Sequence, residues 1–397
     1  MSADGAWPAI TAERREWRPH IQYALPPGAG RTSGPYDAAV LPEIAEIETV
    51  LLSGGTLTLA TAAATEIARF DAEFGADVAP FASILLRTES VASSRIENLT
   101  ASARAVALAE AGDTSRENAS VIVANTTAMK AAIALADHLD DLAILAMHDA
   151  LLRPSRPEYA GRWREEQVWV GGGTYSPHEA DFIPPHHERV AAAIDDLVRF
   201  MRRDDIPPLV QAAVSHAQFE TIHPFPDGNG RTGRALVHSL LRGKGLTRKV
   251  TVPVSAGLLT DTDAYFDSLT AYRRGDPDPI VAMMAHASYA AINNGHHLVT
   301  DLRAARAGWD ARIRARQGSG AVRAAALLLS QPVVDSPMLQ RELGISDTAA
   351  LEAIRRLVDA GVLTKVSGGD RNRKYAANEV LARLDEFAAR AGRRGPT

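Results

Sequence analysis

The chain has 397 residues, of which 46% are hydrophobic and 23% charged, a composition typical of a globular protein with more than one domain. Its formal net charge of −5 disfavours a protein that coats nucleic acid over its whole surface, although a local basic patch stays open. The sequence has no cysteine, which excludes disulfides, thiolate metal sites and cysteine nucleophiles. Because neither a leader peptide nor an apolar stretch of membrane-spanning length is visible, we expect a cytoplasmic protein without a membrane span.

The chain opens with a segment that has no helical period. Residues 1–34 are rich in Pro and Gly and predict an extended N-terminal arm. From Leu41 onward, apolar residues recur at near-helical spacing, which predicts a first helix that ends at Gly54 and Gly55. Further helices are expected over residues 57–70, 81–99, 118–139 and 142–152. We assign residues 35–120 to an N-terminal helical region and residues 121–300 to a helical core.

One β-hairpin is predicted inside this helical core. Residues 167–170 form a short candidate strand, residues 171–173 a flexible Gly tip, and Phe182 with Ile183 the returning strand. Two prolines close it, and helices are expected over residues 187–201, 208–221 and onward to about residue 299. The bulk of the chain is therefore predicted to be all-α with a single hairpin.

The C-terminal residues predict a separate small domain. Residues 301–319 read as a connecting helix and linker, and residues 320–397 as three helices followed by two strands around a basic tip at residues 368–373. This order resembles a winged helix-turn-helix. Because twelve basic and nine acidic residues give residues 320–397 a net charge of only +3, DNA binding and protein docking or dimerisation both stay open.

The residues that point to chemistry lie between two predicted helices. Residues 223–234 read His-Pro-Phe-Pro-Asp-Gly-Asn-Gly-Arg-Thr-Gly-Arg. A Gly-rich turn before a helix presents backbone N–H groups to an anion, and Arg231 and Arg234 share one helical face. Asp227 can hold a divalent cation, and His223 can act as a base near neutral pH. The segment predicts a nucleotide-phosphate site.

Other interpretations of the glycines fit less well. Residues 228–233 match G-x-G-x-x-G, but a dinucleotide-binding fingerprint follows a strand and this segment follows a helix. Neither residues 171–173 nor residues 243–245 complete a P-loop. A plain Gly-rich turn with surface arginines would leave the joint presence of His223, Asp227 and Asn229 without a reason.

Three histidines lie near the predicted hairpin. His178, His186 and His187 stand on a Pro-rich loop at a spacing that suits no tetrahedral metal motif. We interpret them as surface residues.

With every fixed position present, residues 223–234 resemble the signature of Fic-domain proteins, His-Pro-Phe-x-Asp-Gly-Asn-Gly-Arg-x-x-Arg. The resemblance extends over most of residues 35–290, including residues 161–185, which are similar to the flap hairpin of that family. It implies a Fic helical core with one β-hairpin flap. It also implies a nucleotidyltransferase that moves AMP from ATP to a Ser, Thr or Tyr hydroxyl of a target protein, and of itself, with ATP as substrate and Mg²⁺ as cofactor.

The resemblance also implies roles for single residues. His223 would deprotonate the target hydroxyl and Asp227 would hold Mg²⁺ against the phosphates. The residues that would bind ATP and its phosphates are Gly228, Asn229, Gly230, Arg231 and Arg234, with Tyr265 and Phe266 where the family packs adenine. For these two aromatic residues a plain core position is an equal alternative. The flap residues that would take an extended target segment by strand addition are Gln167, Val168, Trp169, Val170, Gly171 and Gly172.

A second motif bears on regulation. Residues 93–98 read Ser-Ser-Arg-Ile-Glu-Asn and resemble the inhibitory Ser/Thr-x-x-x-Glu-Gly/Asn helix of the family, with Ser93, Glu97 and Asn98 at its fixed positions. This resemblance implies an adenylyltransferase that carries its own inhibitor, although a glutamate on a helix is usually a solvated charge. Removal of AMP from a modified protein, and a transcription regulator whose Fic domain senses nucleotide, are the competing functions. The target protein and a homodimer stay open.

Overall fold

The computed structural model describes residues 7–18, 33–73, 78–173, 175–366 and 373–392. These residues divide into two compact units, each assembled from separate stretches of the chain. Unit 1 comprises Met1–Ala64, Lys130–Gly245 and Asp263–Ala285. Unit 2 comprises Thr65–Met129, Leu246–Thr262 and His286–Thr397.

The main helices and strands follow one another along the chain in this order: β1 (Thr11–Trp17), β2 (Gly34–Val40), α1 (Gly54–Glu73), α2 (Val78–Ile96), α3 (Ala103–Glu110), α4 (Glu117–Ala134), α5 (Asp141–Leu152), α6 (Val190–Arg202), α7 (Pro208–Ile222), α8 (Asn229–Gly243), α9 (Val254–Leu258), α10 (Thr262–Arg273), α11 (Asp278–Arg312), α12 (Gly320–Leu327), β3 (Val333–Val334), α13 (Ser336–Leu343), α14 (Asp347–Asp359), β4 (Thr364–Lys365), β5 (Tyr375–Ala376) and α15 (Asn378–Ala391). The prediction of a mainly helical chain is confirmed. Among the described helices, none combines the length and the apolar character needed to cross a membrane.

The start of unit 1 forms a sheet that the sequence did not predict. β1 pairs antiparallel with β2, from Thr11 opposite Val40 to Trp17 opposite Gly34. The described part of the predicted arm, residues 7–18, is therefore anchored, whereas residues 19–32 lie outside the described residues. Trp7 fixes this segment because its ring is buried against Phe200 and Tyr272.

The helix predicted from Leu41 to the Gly pair is wrong. Residues 41–53 have no helical backbone, and α1 begins at Gly54 instead of the segment ending there. Side chains from elsewhere in unit 1 form hydrogen bonds with the main-chain N–H and carbonyl groups that would pair with each other in a helix. Asp196 accepts hydrogen bonds from two N–H groups of this segment, and Arg203 donates to its carbonyl oxygens. Ser53 then accepts a hydrogen bond from the main chain three residues on, which is the bond of a helix N-cap.

The centre of unit 1 is the pair α7 and α8. Every residue of α7 from Leu209 to Ile222 is buried. The two helices approach so closely at Gly233 that a Cβ atom there would lie 3.0 Å from side-chain atoms of Phe219 and Glu220. A glycine at this position lets the chain after the turn pack directly on the helix before it.

Unit 2 is organised around α2. Asn125 of α4 donates hydrogen bonds to the Ser90 carbonyl and the Ser94 hydroxyl of α2. Buried Glu89 of α2 accepts hydrogen bonds from the main chain and the hydroxyl of Ser255, at the start of α9. These bonds pair the polar groups that α2 buries, and they fix its position within the unit.

The C-terminal elements belong to the same unit as α2. Three short strands form a sheet in the spatial order β3-β5-β4. Along the chain, α12, α13 and α14 all precede β4 and β5. Arg95 of α2 donates a hydrogen bond of 2.6 Å to the Ala388 carbonyl of α15. The predicted basic tip falls mostly on residues 367–372, which lie outside the described residues, and α11 runs without interruption through the start of the predicted linker.

We expect Trp7→Ala to lower the free energy of unfolding by about 3–5 kcal/mol, because it removes a large buried side chain and leaves a cavity between two aromatic rings. The matched control is Leu142→Ala, since the Leu142 side chain is 67% exposed and its loss should cost no more than about 0.5 kcal/mol. Urea unfolding of the three proteins measures both values. Equal stability of Trp7→Ala and the parent would show that β1 is not anchored by this residue.

Candidate active site

The loop between α7 and α8 contains two residues with a left-handed backbone. His223 follows α7 with φ 50° and ψ 60°, and its N–H donates to the Phe219 carbonyl at 2.9 Å. Gly228 precedes α8 with φ 81° and ψ 9°. A left-handed backbone is ordinary for glycine but costs a histidine about 1–2 kcal/mol. Such a conformation persists where the surroundings hold it, and it concentrates at functional sites.

Asn229 holds the inside of this loop. Its Oδ1 accepts from the Phe225 N–H at 2.9 Å, and its Nδ2 donates to the Phe225 carbonyl at 2.8 Å. Both residues are buried. The side chain of Asn229 thus bridges the loop, and what it can offer an anion is its main-chain N–H in the first turn of α8, beside that of Gly230.

Asp227 is the carboxylate at the mouth of the loop. Its Oδ1 accepts from the Gly228 N–H at 2.6 Å and from Arg231 at 3.2 Å, and its Oδ2 lies 3.4 Å from Arg156. The side chain is 36% exposed, so solvent and ligands reach it. Mg²⁺ is commonly held by one or two carboxylates together with phosphate oxygens and water, so this single accessible carboxylate fits the ion. Arg156 lies in no motif that the sequence shows.

Two arginines occupy the start of α8. Arg231 and Arg234 are 6% and 3% exposed. They add positive charge at the end of the helix where the unpaired N–H groups already carry a partial positive charge. Two guanidinium groups at this end of a helix create a local potential that suits a polyanion such as a triphosphate.

His148 of α5 forms hydrogen bonds that support the loop, and no sequence motif marks this residue. Its Nδ1 accepts from the Gly161 N–H at 3.1 Å, which leaves Nε2–H to donate to the Asp227 carbonyl at 2.9 Å. The ring stacks on Phe225 at 3.6 Å. Burial lowers the pKa of His148 to about 4, so the imidazole stays neutral and both bonds persist near neutral pH. No spacing in the sequence relates this histidine to a loop 79 residues away.

The two residues expected near adenine differ in exposure. Tyr265 is 1% exposed, and its hydroxyl lies 2.8 Å from Nε2 of His216, whose pKa burial lowers to about 3. Phe266 is 51% exposed. Tyr265 is therefore a core residue of unit 1, and Phe266 offers the accessible ring.

The predicted flap hairpin is reduced to one pair of residues. Val170 and Phe182 form a single antiparallel bridge, with N···O distances of 2.9 and 3.2 Å. The two prolines that follow Ile183 have no N–H to extend the pairing. At the tip, a Cβ atom on Gly172 would lie 2.0 Å from the Glu179 carbonyl, so this position requires glycine.

The flap side chains do not all face outward. Gln167 is buried and bonds to the Tyr36 hydroxyl and the Pro184 carbonyl. The Trp169 indole donates to the Gly173 carbonyl at 2.8 Å, whereas Val170 is exposed. Hydrogen bonds of the Gln167 and Trp169 side chains thus stabilise the turn, and Val170 is its accessible apolar residue.

The three histidines interpreted as surface residues are partly exposed and lie close to charged side chains. His178, His186 and His187 are half-buried. His186 Nδ1 lies 3.2 Å from a Glu188 oxygen, and that carboxylate is also 3.4 Å from Arg15. Ligand atoms of His186, His187 and Glu188 lie within 4.8 Å of one another. Because Arg15 already neutralises Glu188, the arrangement is that of an ion-pair cluster beside β1.

The segment predicted to be inhibitory, residues 93–98, forms the end of α2 and the residues after it, in unit 2. The helix ends at Ile96, Asn98 is left-handed with φ 60°, and the N–H groups of Asn98 and Leu99 donate to the carbonyls of Arg95 and Ser94. This pattern is a Schellman motif, whose left-handed position favours Gly or Asn. Glu97 is therefore the exposed C-cap, where its negative carboxylate is repelled by the partial negative charge of the helix end.

Part of the chain that includes this loop is similar to a known protein family. A family model described as the Fic/DOC family matches residues 138–241. Curated relatives include "Protein adenylyltransferase fic-1" of Caenorhabditis elegans, 35% identical over 157 residues, and "Protein adenylyltransferase Fic" of Nematostella vectensis, 30% identical over 158 residues. Each alignment covers 39% of this chain but only 28% and 33% of these relatives, so the chain spans about a third or less of their length.

A solved structure is similar over most of the chain. The crystal structure of a Fic family protein from Desulfovibrio desulfuricans superposes with a TM-score of 0.52 and 20% identity, covering 83% of this chain and 97% of that one. This likeness is one of fold. Together with the family match and the loop between α7 and α8, it leads to one conclusion: the chain contains a Fic domain, which lies at residues 138–241.

Proposed function

We propose that the protein is an adenylyltransferase that moves AMP from ATP to a hydroxyl side chain of a target protein, itself included. The observation that carries this proposal is His223, a non-glycine residue in a left-handed conformation, placed four residues before the accessible carboxylate of Asp227. Relatives named protein adenylyltransferase are 35% and 30% identical to this chain over 157 and 158 residues, and they support the reaction class.

In this reaction His223 is the general base. The imidazole takes the proton of the target hydroxyl, the hydroxyl oxygen forms a bond to the α-phosphorus, and the bond from that phosphorus to the bridging oxygen breaks. Pyrophosphate leaves with the electron pair. A positioned base of this kind contributes about 10²- to 10⁴-fold to the rate. Because such a transfer needs little covalent help from the protein, orientation and charge neutralisation supply the rest.

The phosphates are held by the start of α8. The main-chain N–H groups of Asn229 and Gly230 offer hydrogen bonds, whereas that of Gly228 donates to Asp227. The guanidinium groups of Arg231 and Arg234 neutralise charge. Mg²⁺ held by Asp227 would supply further neutralisation of the phosphates. Arg231, which contacts Asp227 at 3.2 Å, is then close to both the metal ligand and the phosphates.

Two alternatives predict different outcomes. A nucleotide sensor needs the anion site but not a base, so the strained backbone at His223 favours an enzyme over a sensor. Hydrolytic removal of AMP uses the same loop, with water in place of the target hydroxyl. Loss of labelled AMP from a modified target on addition of the protein would identify this second reaction.

We propose that residues 320–397 form a winged helix-turn-helix domain, and that its role is protein docking and not DNA binding. Leu351 and Val358 of α14 are exposed apolar residues. Arg355 and Arg356 of the same helix form ion pairs with Glu352, one turn earlier. These arginines are partly neutralised for phosphate contacts, whereas exposed apolar side chains suit a protein surface.

Glu97 is proposed to inhibit transfer. A carboxylate that forms an ion pair with Arg234 would occupy the place of the γ-phosphate, so that ATP enters with its α-phosphate badly aligned. A misplacement near 1 Å costs about 10²-fold in rate. At the C-terminus of α2 this carboxylate does not support its own helix, so its removal should leave the stability of α2 intact.

We expect His223→Ala to abolish AMP transfer, with a loss of about 10²- to 10⁴-fold, while ATP still binds because the phosphate loop begins after this residue. Transfer is measured from α-labelled ATP and affinity by calorimetry on the same preparation. His138→Ala, which changes an exposed histidine, is the control. Transfer at the parental rate by His223→Ala would remove this residue from the mechanism.

We expect Glu97→Gln and Glu97→Gly to raise AMP incorporation well above the parent, since Arg234 becomes available to the γ-phosphate. Adding Arg234→Ala should cancel much of the gain. Glu66→Gln serves as the control, because Glu66 is a partly exposed glutamate in unit 2 whose partner is the exposed Arg69. If neither Glu97 variant exceeds the parent at one fixed ATP concentration, Glu97 is an ordinary helix-end charge.

A further inference from the structure

Arg164 lies in the segment between α5 and the flap, and its guanidinium is buried. The residue is 3% exposed, and burial lowers its pKa to about 10. Within the described part of the chain its hydrogen-bond partners are main-chain carbonyl oxygens and not carboxylates. A buried cation without a counter-ion is costly, so this position calls for a specific reason.

The carbonyls that Arg164 binds come from two places. Its Nε donates to the His223 carbonyl at 2.8 Å, and Nη2 lies 3.5 Å from the Ile222 carbonyl. On the other side, Nη1 donates to the Glu166 carbonyl at 3.0 Å, and Nη2 donates to the Pro185 carbonyl. Glu166 and Pro185 flank the two arms of the flap turn. One side chain therefore joins the catalytic loop to the base of the flap.

The main chain of Arg164 reinforces this link. Its N–H donates to the Pro224 carbonyl at 2.9 Å. The carbonyls of Ile222 and His223 are among the last of α7, which have no partner within the helix, and a cation at a helix C-terminus is favourable. Arg164 thus satisfies the end of α7 at the residue whose backbone is left-handed.

We propose that Arg164 is a positioning residue, which holds His223 in its left-handed conformation and fixes the general base at a set place relative to the flap that docks the target. This proposal rests on the proposed function. Arg164 acts through carbonyl oxygens and does not itself touch the reacting atoms. The planar fork of arginine can reach carbonyls on different sides, which the single ammonium of lysine cannot do.

The first test is Arg164→Lys, which keeps the buried cation, with Arg164→Met as the neutral variant. We expect the kcat of AMP transfer to fall about 10²-fold, while ATP affinity stays close to that of the parent. The matched control is Arg162→Lys, because Arg162 is exposed two residues away in the same segment. Parental kcat in a folded Arg164→Lys protein would overturn the proposal.

The second readout is the backbone of His223, which does not depend on activity. In the parent, the NMR coupling between the His223 amide and Hα protons and its Cα shift should report a positive φ, and in Arg164→Lys both should change. A variant that loses activity but keeps the parental His223 signals would also overturn the proposal. If the parent transfers no AMP, the proposed function fails, and this backbone comparison still decides the role of Arg164.

A third readout uses the parent alone, should both variants fail to fold. The Nε–H proton of Arg164 should exchange with solvent far more slowly than that of Arg162, because it is buried and bound to the His223 carbonyl. Equal exchange rates for the two arginines would show that the link to His223 is absent, and the proposal would be wrong.

Discussion

The candidate site depends on the reversal of the main chain between α7 and α8. Both helices are buried and approach closely at Gly233, so the loop that joins them has little freedom in its path. The chain makes this turn by placing His223 and Gly228 in the left-handed region. Because one of the two is not a glycine, the turn stores backbone strain, and the surrounding contacts have to hold it.

Those contacts come from parts of the chain that are far apart in sequence. Buried main-chain groups in an irregular loop have no helix or sheet to pair with, and leaving them unpaired is costly. His148 pairs with the Asp227 carbonyl, Arg164 with the carbonyls that end α7, and Asn229 with both polar groups of Phe225. The result is a loop whose donors are set before any ligand arrives, which is what stabilisation of transferred charge requires.

In the proposed reaction, two roles are separated along this short loop. The end of α7 would present the base, His223, and the start of α8 would present N–H groups and guanidinium groups to the phosphates. His223 and Asp227 are four residues apart, so a change in one backbone conformation would move the proposed base relative to the carboxylate proposed to hold Mg²⁺. This geometry explains why a side chain such as Arg164, which only touches carbonyls, can matter for catalysis.

The sequence was sufficient for features that depend on local patterns. The bounds of α5 and α7 agree closely with the helices predicted from the apolar period, and the types and spacing of residues 223–234 marked the loop that joins α7 and α8. The failures have a common cause in tertiary contacts. The sequence of residues 41–53 predicts a helix, but Asp196 and Arg203 form hydrogen bonds with their main-chain groups instead. Strand β1 forms because its main chain pairs with that of β2. His148 and Arg164 had no motif to mark them, since their role is to satisfy a loop that is distant in sequence.

In the proposed reaction, the α-phosphate of ATP is transferred together with its adenosine. The most direct measurement incubates the Glu97→Gly protein and a protein acceptor in parallel with ATP labelled at the α-phosphate and ATP labelled at the γ-phosphate. Our account predicts that the α-label is retained on protein, that the γ-label is released in pyrophosphate, and that the added mass is that of AMP. Retention of the γ-label on protein, or no retained label while ATP binding is normal, would contradict it.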